Sequence, residues 1–274
     1  MNFLRKALER RKLKRTFGEY GFEINQFKIE GLGIVDYAQW LHPFEKPKKI
    51  TLSNIDFYKK ITTPAGIGAH TGDTTVPMAL AVGKAGLVLG LEPNKYVFKI
   101  LEKNSTLNPD KTNIVPLCFA ATKGDGVFEF NYSDASFCNG GFLSQIKNKN
   151  HKHNYVLEVV GKNLQNYLFN HYAEKLEQLC LVKIDAEGYD KEIIKTIPEI
   201  LNRYKPNLMI ECYKRLTSDE RFELFDLVSA HGYILYYLEN FEDFRQLEPI
   251  TRAAMTSREH FEMLAIHETK KIIW

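Results

Sequence analysis

The chain has 274 residues, 44% of them hydrophobic and 26% charged, with a formal net charge of +3. That composition excludes a disordered chain, a collagen-like repeat and a disulfide scaffold, and the charge excess is too small to imply nucleic acid by itself. Cys118, Cys138, Cys180 and Cys212 are scattered singly with no CxxC pair, so they read as reduced thiols rather than metal ligands. The most apolar stretch, Val76 to Leu91, is interrupted by Lys84 with Gly83 and Gly86 beside it. No segment approaches the roughly 20 apolar residues that span a bilayer. The first residues carry Arg5 and Lys6 and lack a long apolar core, and a cytoplasmic location is expected.

Residues 2–16 are expected to form a basic helix, with Leu4 and Leu8 on one face and Arg5, Lys6, Arg10, Arg11, Lys12, Lys14 and Arg15 on the others. Such a helix is either a solvated terminal element or a weak contact to an anionic membrane surface. Short extended pieces follow, Phe22–Ile29 and Gly33–Tyr37, and then the apolar cluster from Trp40 to Phe44. Residues 1–52 therefore read as a basic helix and a β-rich cap, and residues 53–274 as the main domain. His42 is either a packed ring in an aromatic corner or a substrate contact.

From Ile61 onward strand-like and helix-like segments alternate, the pattern of a parallel sheet with crossover helices. The stretch from Gly66 through Gly68, His70 and Gly72 to Thr74 precedes a helix over about Thr75 to Val82, with Pro77 in its first turn and Asp73 or Thr74 as N-cap. Leu87–Leu91 reads as a buried strand ending at Glu92, and Lys95–Asn104 as a helix with Val97, Ile100 and Leu101 on one face. Ile114–Leu117 is the next strand, and Lys123 to Lys152 a long polar insertion. Leu181–Ile184 is a strand ending at Asp185, and the apolar stripe Ile193, Ile194, Ile197, Ile200 and Leu201 predicts one helix after it. Leu208–Ile210 is a fifth strand, Phe222, Phe225 and Val228 mark another helix, and Tyr233–Leu238 and Phe261–Ile266 are the last strands.

A glycine loop between a strand and a helix lets backbone amides approach a ligand, and a helix N-terminus favours an anionic group there. Glu92 follows Gly68 by 24 residues, near the roughly 20-residue spacing at which an acid grips the ribose hydroxyls of a nucleotide cofactor. No tyrosine has a lysine four places on, and no Gly-Lys-Ser/Thr run is present, which argues against a nicotinamide enzyme of the Tyr-x-x-x-Lys type and against a P-loop. S-adenosylmethionine satisfies what remains. Alternatively the glycines serve tight turns and Glu92 caps the next helix.

The run Ile67-Gly-Ala-His-Thr-Gly72, then Leu91-Glu-Pro-Asn94, then Val182-Lys-Ile-Asp-Ala-Glu-Gly188 and Ile210-Glu211 resembles the FkbM-type family of S-adenosylmethionine-dependent methyltransferases. The resemblance runs from about Ile61 to Leu238. It implies an α/β, Rossmann-like class I methyltransferase sheet of seven strands, one of them antiparallel, and O-methylation of a small molecule or of a sugar or glycan hydroxyl. It also implies that Gly68, His70 and Gly72 line the methionine portion, that Glu92 holds the ribose and that Ala120 and Ala121 lie near the adenine. Asp185 and Glu187 would stand beside the methyl group, with Asp185 the first candidate base. No metal is assigned, because the Asp-x-Glu pair has no evident third ligand and His151 and His153 read as a solvated loop. The polar run Asn131 to Gly141 suits a substrate loop or a plain surface loop.

The sequence departs from the family where an apolar strand usually ends in Asp. Gly66 stands there, after Pro64, and neither residue favours a central strand. Weak cofactor binding is therefore expected, and the alternative function is a catalytically impaired binding protein that keeps the methyltransferase scaffold.

Overall fold

The computed structural model describes residues 8, 11–62, 65–67, 72–132, 134–135, 141–143, 155–238 and 247–270. Of the basic N-terminal segment, residues 11–13 are helical. The Lys14 carbonyl then accepts from the Ala135 amide, and Phe17 stacks on Tyr96 with ring centroids 5.7 Å apart. Strands β1 (Phe22–Ile29) and β2 (Gly33–Trp40) form an antiparallel hairpin. Gly31 and Gly33 supply the positive φ angles, 76° and 75°, that its turn requires.

After helix α1 (Leu52–Ile61), capped by the Thr51 side chain, comes strand β3 (Ala65–Ile67). Helix α2 (Thr75–Val82), strand β4 (Leu87–Leu91), helix α3 (Lys95–Thr106) and strand β5 (Ile114–Leu117) follow. The sequence makes β3 a hard strand to build, yet three residues pair in parallel on both sides, Gly66 opposite Val88 of β4 and opposite Leu181 of strand β10 (Leu179–Ile184). Its neighbours supply the packing that Gly66 lacks, for Val88 and Leu181 are fully buried. A register shift between Leu179 and Leu181 accommodates the short strand. At the start of α2, Thr74 makes no side-chain cap; the Asp73 carboxylate instead accepts the Thr74 amide at 3.1 Å.

The polar insertion expected over Lys123 to Lys152 holds two strands of a second sheet. Strands β6 (Ala120–Ala121), β7 (Gly126–Tyr132), β8 (Gly141–Leu143) and β9 (Tyr155–Lys162) assemble in the order β6-β9-β7-β8. Buried and exposed residues alternate along β9, with Leu157, Val159 and Gly161 turned inward. Val127, Val156 and Val160 on the exposed face, mixed with Glu129 and Glu158, hid this alternation in the sequence. Helix α4 (Leu164–Tyr172) returns the chain to β10.

The helix expected over 193–201 is two helices, α5 (Asp190–Ile194) and α6 (Pro198–Tyr204). Pro198 has no amide proton to continue the first helix and opens the second. Strand β11 (Asn207–Cys212), helix α7 (Ser218–Ser229), and strands β12 (Tyr233–Tyr237) and β13 (Phe261–His267) complete the fold. Thr217 and Glu220 form a reciprocal capping box on α7. The buried residues of α7 are Arg221, Leu224 and Val228, whereas Phe222 and Phe225 are only partly covered.

The main sheet has the order β12-β13-β11-β10-β3-β4-β5, with β13 antiparallel to both of its neighbours. One face packs on α1, α2 and the hairpin through residues such as Ile55, Tyr58, Met78, Val35 and Tyr37. The other packs on α4, α6 and α7 through Leu168, Ile200, Leu201 and Leu224. From β3 the chain passes first to β4 and later to β10, so β3 is the point at which the strand order reverses. Open α/β sheets bind ligands beyond the carboxyl ends of the strands at such a point.

The hairpin is held to the sheet by α3. Asn104 Oδ1 accepts the Ala38 amide at 2.7 Å and its Nδ2 donates to the Ala38 carbonyl at 3.0 Å. Asn108, two residues past the end of α3, does the same with Asp36, at 3.0 and 2.8 Å. The two amides thus meet alternate residues of β2, Ala38 and Asp36.

Candidate functional site

Beyond β3, Gly68 and His70 lie outside the described residues. Gly72 is described and buried, with φ at 105°, a value an L side chain rarely adopts. A Cβ there would come within 3.2 Å of Asn104 Cβ, so the end of the loop is a close-approach position that only glycine fits. Its carbonyl accepts the Val76 amide at 2.8 Å and begins α2.

Glu92 sits at the carboxyl end of β4, its side chain almost wholly buried. Its amide donates to the Leu117 carbonyl of β5, and its Oε1 accepts the Asn94 amide at 2.8 Å. Glu92 thus braces the strand end that carries it. Asn94, also buried, caps α3 by accepting the Tyr96 amide at 3.0 Å, and its Nδ2 has no hydrogen-bond partner. An orphaned amide donor beside a buried carboxylate suits a ligand that offers both hydroxyl donors and an acceptor, as an adenosine does. Ala120 and Ala121 are buried in β6, Ala120 against Val97 and Ile100 of α3. Cys118, just before them, has its thiol pushed up by burial and by Glu92.

The second half of the site lies at the ends of β10, β11 and β13. Lys183 is a cation inside an apolar strand, its side chain 5% exposed, and its Nζ donates to Asp185 Oδ2 at 2.7 Å. Burial opposes its charge, but Asp185, Glu262 and the Tyr58 hydroxyl more than offset this and hold the ammonium above its ordinary range. Burial likewise pushes the Tyr58 hydroxyl far up. Glu187 occupies the left-handed region at φ 52°, and Gly188 follows at φ 101°. Asp190 closes this turn: its carboxylate accepts the Gly188 amide at 3.0 Å and the Ala186 amide at 3.4 Å. Burial, and next the charge of Asp185, push Asp190 up to about 7 although these amides favour its charged form.

Glu211 of β11 and Glu262 of β13 are directly opposite in the antiparallel ladder. Like charges so placed destabilise a sheet unless a proton or a cation intervenes. Burial, then Asp185, Glu187, Asp190 and Glu262, push Glu211 up to about 9. Burial raises Glu262 as well, against the pull of Lys183. Glu187 and burial raise Tyr213 to about 12, burial being the larger cause.

The structure therefore sets Asp185 and Glu187 in the segment after β10, both facing Glu211 electrostatically, puts Glu92 at the end of β4 on the other side of β3, Gly72 at the start of α2 and Ala120 beside α3. His42 is a packed ring, 2% exposed, between Tyr20, Trp40 and Phe44. Burial lowers it to about 4, with Asp134 opposing. Sequence reasoning gave no role to Lys183, Asp190, Glu211, Glu262 or His260. A charge interrupting an apolar strand near one end is the signal that Lys183, Glu211 and Glu262 carried. Among the described residues no group of three His, Cys, Asp or Glu is arranged to hold a metal, and no helix is long and apolar enough to cross a membrane.

Among solved structures, the chain is similar to an S-adenosylmethionine-dependent O-methyltransferase from Thermotoga maritima, 12% identical, covering 91% of this chain and 78% of that one with a TM-score of 0.42. The FkbM methyltransferase from Methylobacillus flagellatus is 11% identical, covers 74% of this chain and 43% of its own, and gives 0.41. The Methanococcus jannaschii fibrillarin pre-rRNA processing protein is 13% identical over 90% of this chain and 84% of its own, with 0.43. No curated protein matches the sequence. The family model of the methyltransferase FkbM domain matches residues 66–245, well over half of the chain. The chain therefore belongs to the FkbM-type family of S-adenosylmethionine-dependent methyltransferases.

Proposed function

We propose that this chain transfers a methyl group from S-adenosylmethionine to a hydroxyl oxygen of a sugar or glycan. The observation that carries the reading is the placement of Glu92 and Asp185 at the carboxyl ends of the two strands that flank β3. Glu92 and Asn94 are the residues we assign to the adenosine, Glu92 on the ribose hydroxyls and Asn94 Nδ2 as a free donor. Gly68, His70 and Gly72 are assigned to the methionine portion, and Ala120 and Ala121 to the adenine. When bound, S-adenosylmethionine supplies an electrophilic methyl group. The residues on the β10 side position the acceptor, exclude water and hold its proton.

The mouth formed by Asp185, Glu187 and Glu211 is rich in hydrogen-bond acceptors. It suits a neutral polyol, whose hydroxyls donate. Asp185, with one oxygen already taken by Lys183, orients acceptor hydroxyls, and Glu187 shares that role. Arg11, Lys12 and Arg15 are exposed, and we assign weak contact with an anionic membrane surface to this segment.

Calorimetric titration with S-adenosylmethionine tests the reading. Glu92→Ala should weaken binding at least tenfold, since each charge-assisted hydrogen bond is worth roughly 1.5–3 kcal/mol. Unchanged affinity in that variant would remove the ribose assignment. One observation favours the second reading, a scaffold that binds acceptor without methylating it: Gly66 stands where the family carries Asp. A folded wild-type chain that takes up no cofactor at millimolar concentration would decide for that scaffold.

A further inference from the structure

Glu211 is 5% exposed, and its Oε2 has no hydrogen-bond partner. Its Oε1 lies 3.5 Å from Nδ1 of His260, whose side chain is half exposed at the crevice. The backbone in front of His260 is fixed by a buried cation. Arg221 donates to the carbonyls of Met255, Arg258 and Glu259 on one side, at 3.1, 2.8 and 2.5 Å. On the other side it donates to Tyr213 and Leu216, both at 3.2 Å. One guanidinium thus ties the loop that leaves β11 to the loop that enters β13. Glu211 and His260 cannot drift apart without breaking these bonds. Asp185, the neighbouring carboxylate, is already engaged by Lys183, so the mouth needs another group to take a proton.

We propose that Glu211 and His260 form the proton-accepting pair of the methyl-transfer site, Glu211 holding the imidazole Nδ1–H and leaving Nε2 to receive the acceptor's proton. The inference rests on the methyltransferase reading above. As the acceptor oxygen bonds to the methyl carbon, the methyl–sulfur bond breaks with its electron pair left on sulfur. The hydroxyl proton passes to Nε2. His260 is then a catalytic residue and Glu211 a positioning one. A separation of 3.5 Å is loose for a hydrogen bond, and catalytic pairs commonly tighten only with substrate in place. A carboxylate behind a histidine fixes which ring nitrogen carries the proton, and that property can be read without any acceptor.

The test uses the full chain labelled with ¹⁵N-histidine, with the His260 signals identified by their loss in His260→Gln. In the wild type the neutral ring should carry its proton on Nδ1, and Glu211→Leu, which removes the acceptor, should shift it to Nε2. Carbethoxylation of His260 by diethyl pyrocarbonate, followed by mass spectrometry, should slow about fivefold in Glu211→Leu as the free Nε2 is lost. A wild-type ring protonated on Nε2 overturns the pairing, and so does a carbethoxylation rate that Glu211→Leu leaves unchanged. If Glu211→Leu does not fold, the wild-type spectrum alone decides. Calorimetry with S-adenosylmethionine runs alongside: absence of binding with the Nδ1–H ring intact overturns the enzyme reading, whereas normal binding with an Nε2–H ring overturns the pair alone.

Discussion

Lys183 carries a full charge inside a strand whose other side chains are apolar, and it does so because carboxylates surround its ammonium. Removing one partner of a buried ion pair leaves the other uncompensated, which costs more than the pair contributes. Lys183→Met should therefore destabilise the fold by at least about 2 kcal/mol, a figure kept low because Asp185 is partly solvated. Lys183→Met with Glu262→Gln should recover part of the loss, and urea melts of the two variants check it. If the double variant is no more stable than the single one, Glu262 is not the group Lys183 neutralises. Asp190 gives a second prediction. Asp190→Ala should free the Gly188 and Ala186 amides, speed their hydrogen exchange and release the left-handed turn at Glu187; unchanged exchange would show that the turn holds itself.

At the scale of elements, β3 is the strand on which the cofactor loop depends, and it is three residues long. Gly66→Asp restores the acid that the family carries there and should tighten S-adenosylmethionine binding at least tenfold, or about 1.4 kcal/mol. Equal affinity in the two chains would mean that the acid is dispensable. The strands and helices of the main sheet were legible because each is a short apolar run bounded by glycine, proline or a charge, as in Leu87–Leu91 and Leu208–Ile210. The second sheet was not legible. Val127, Val156 and Val160 lie exposed on its outer face, and β7 mixes glutamate and asparagine into the pattern, so alternation looked like loop composition. The break at Pro198 was written in the sequence but was outweighed by an isoleucine stripe that two short helices share. On the site, Glu92 and Asp185 could be found by their places at strand ends. His260 could not, since only the folding of β13 against β11 brings it to Glu211.

Over the whole molecule, Asp190, Glu211 and Glu262 all bind protons more tightly folded than unfolded, Asp190 with a value of about 7 and Glu211 of about 9. Stability from these groups is complete below the unfolded carboxyl range and is lost as pH rises through the folded values. His42 acts in the opposite sense: its folded value of about 4 lies below the unfolded one, so its contribution is present above about 6.5 and lost as pH falls toward 4. Three raised carboxyls outweigh one lowered histidine, so thermal melting without cofactor should fall by several degrees between about pH 5 and pH 9, with Glu211→Gln flattening the alkaline limb. A melting temperature that climbs steadily to pH 8 would contradict this balance.

Asn104 of α3 and Asn108 just beyond it have an effect beyond joining hairpin to sheet. The amides and carbonyls of Asp36 and Ala38 lie on the side of β2 turned away from β1, and Asn104 and Asn108 meet them as a further strand would. They deny that edge to other chains. A chain with Asn104→Leu and Asn108→Leu would present an open edge flanked by the exposed Ile34 and Leu41. It should self-associate at concentrations where the native chain does not, which light scattering during concentration would reveal. Two side-chain amides thereby also guard the solubility of the molecule.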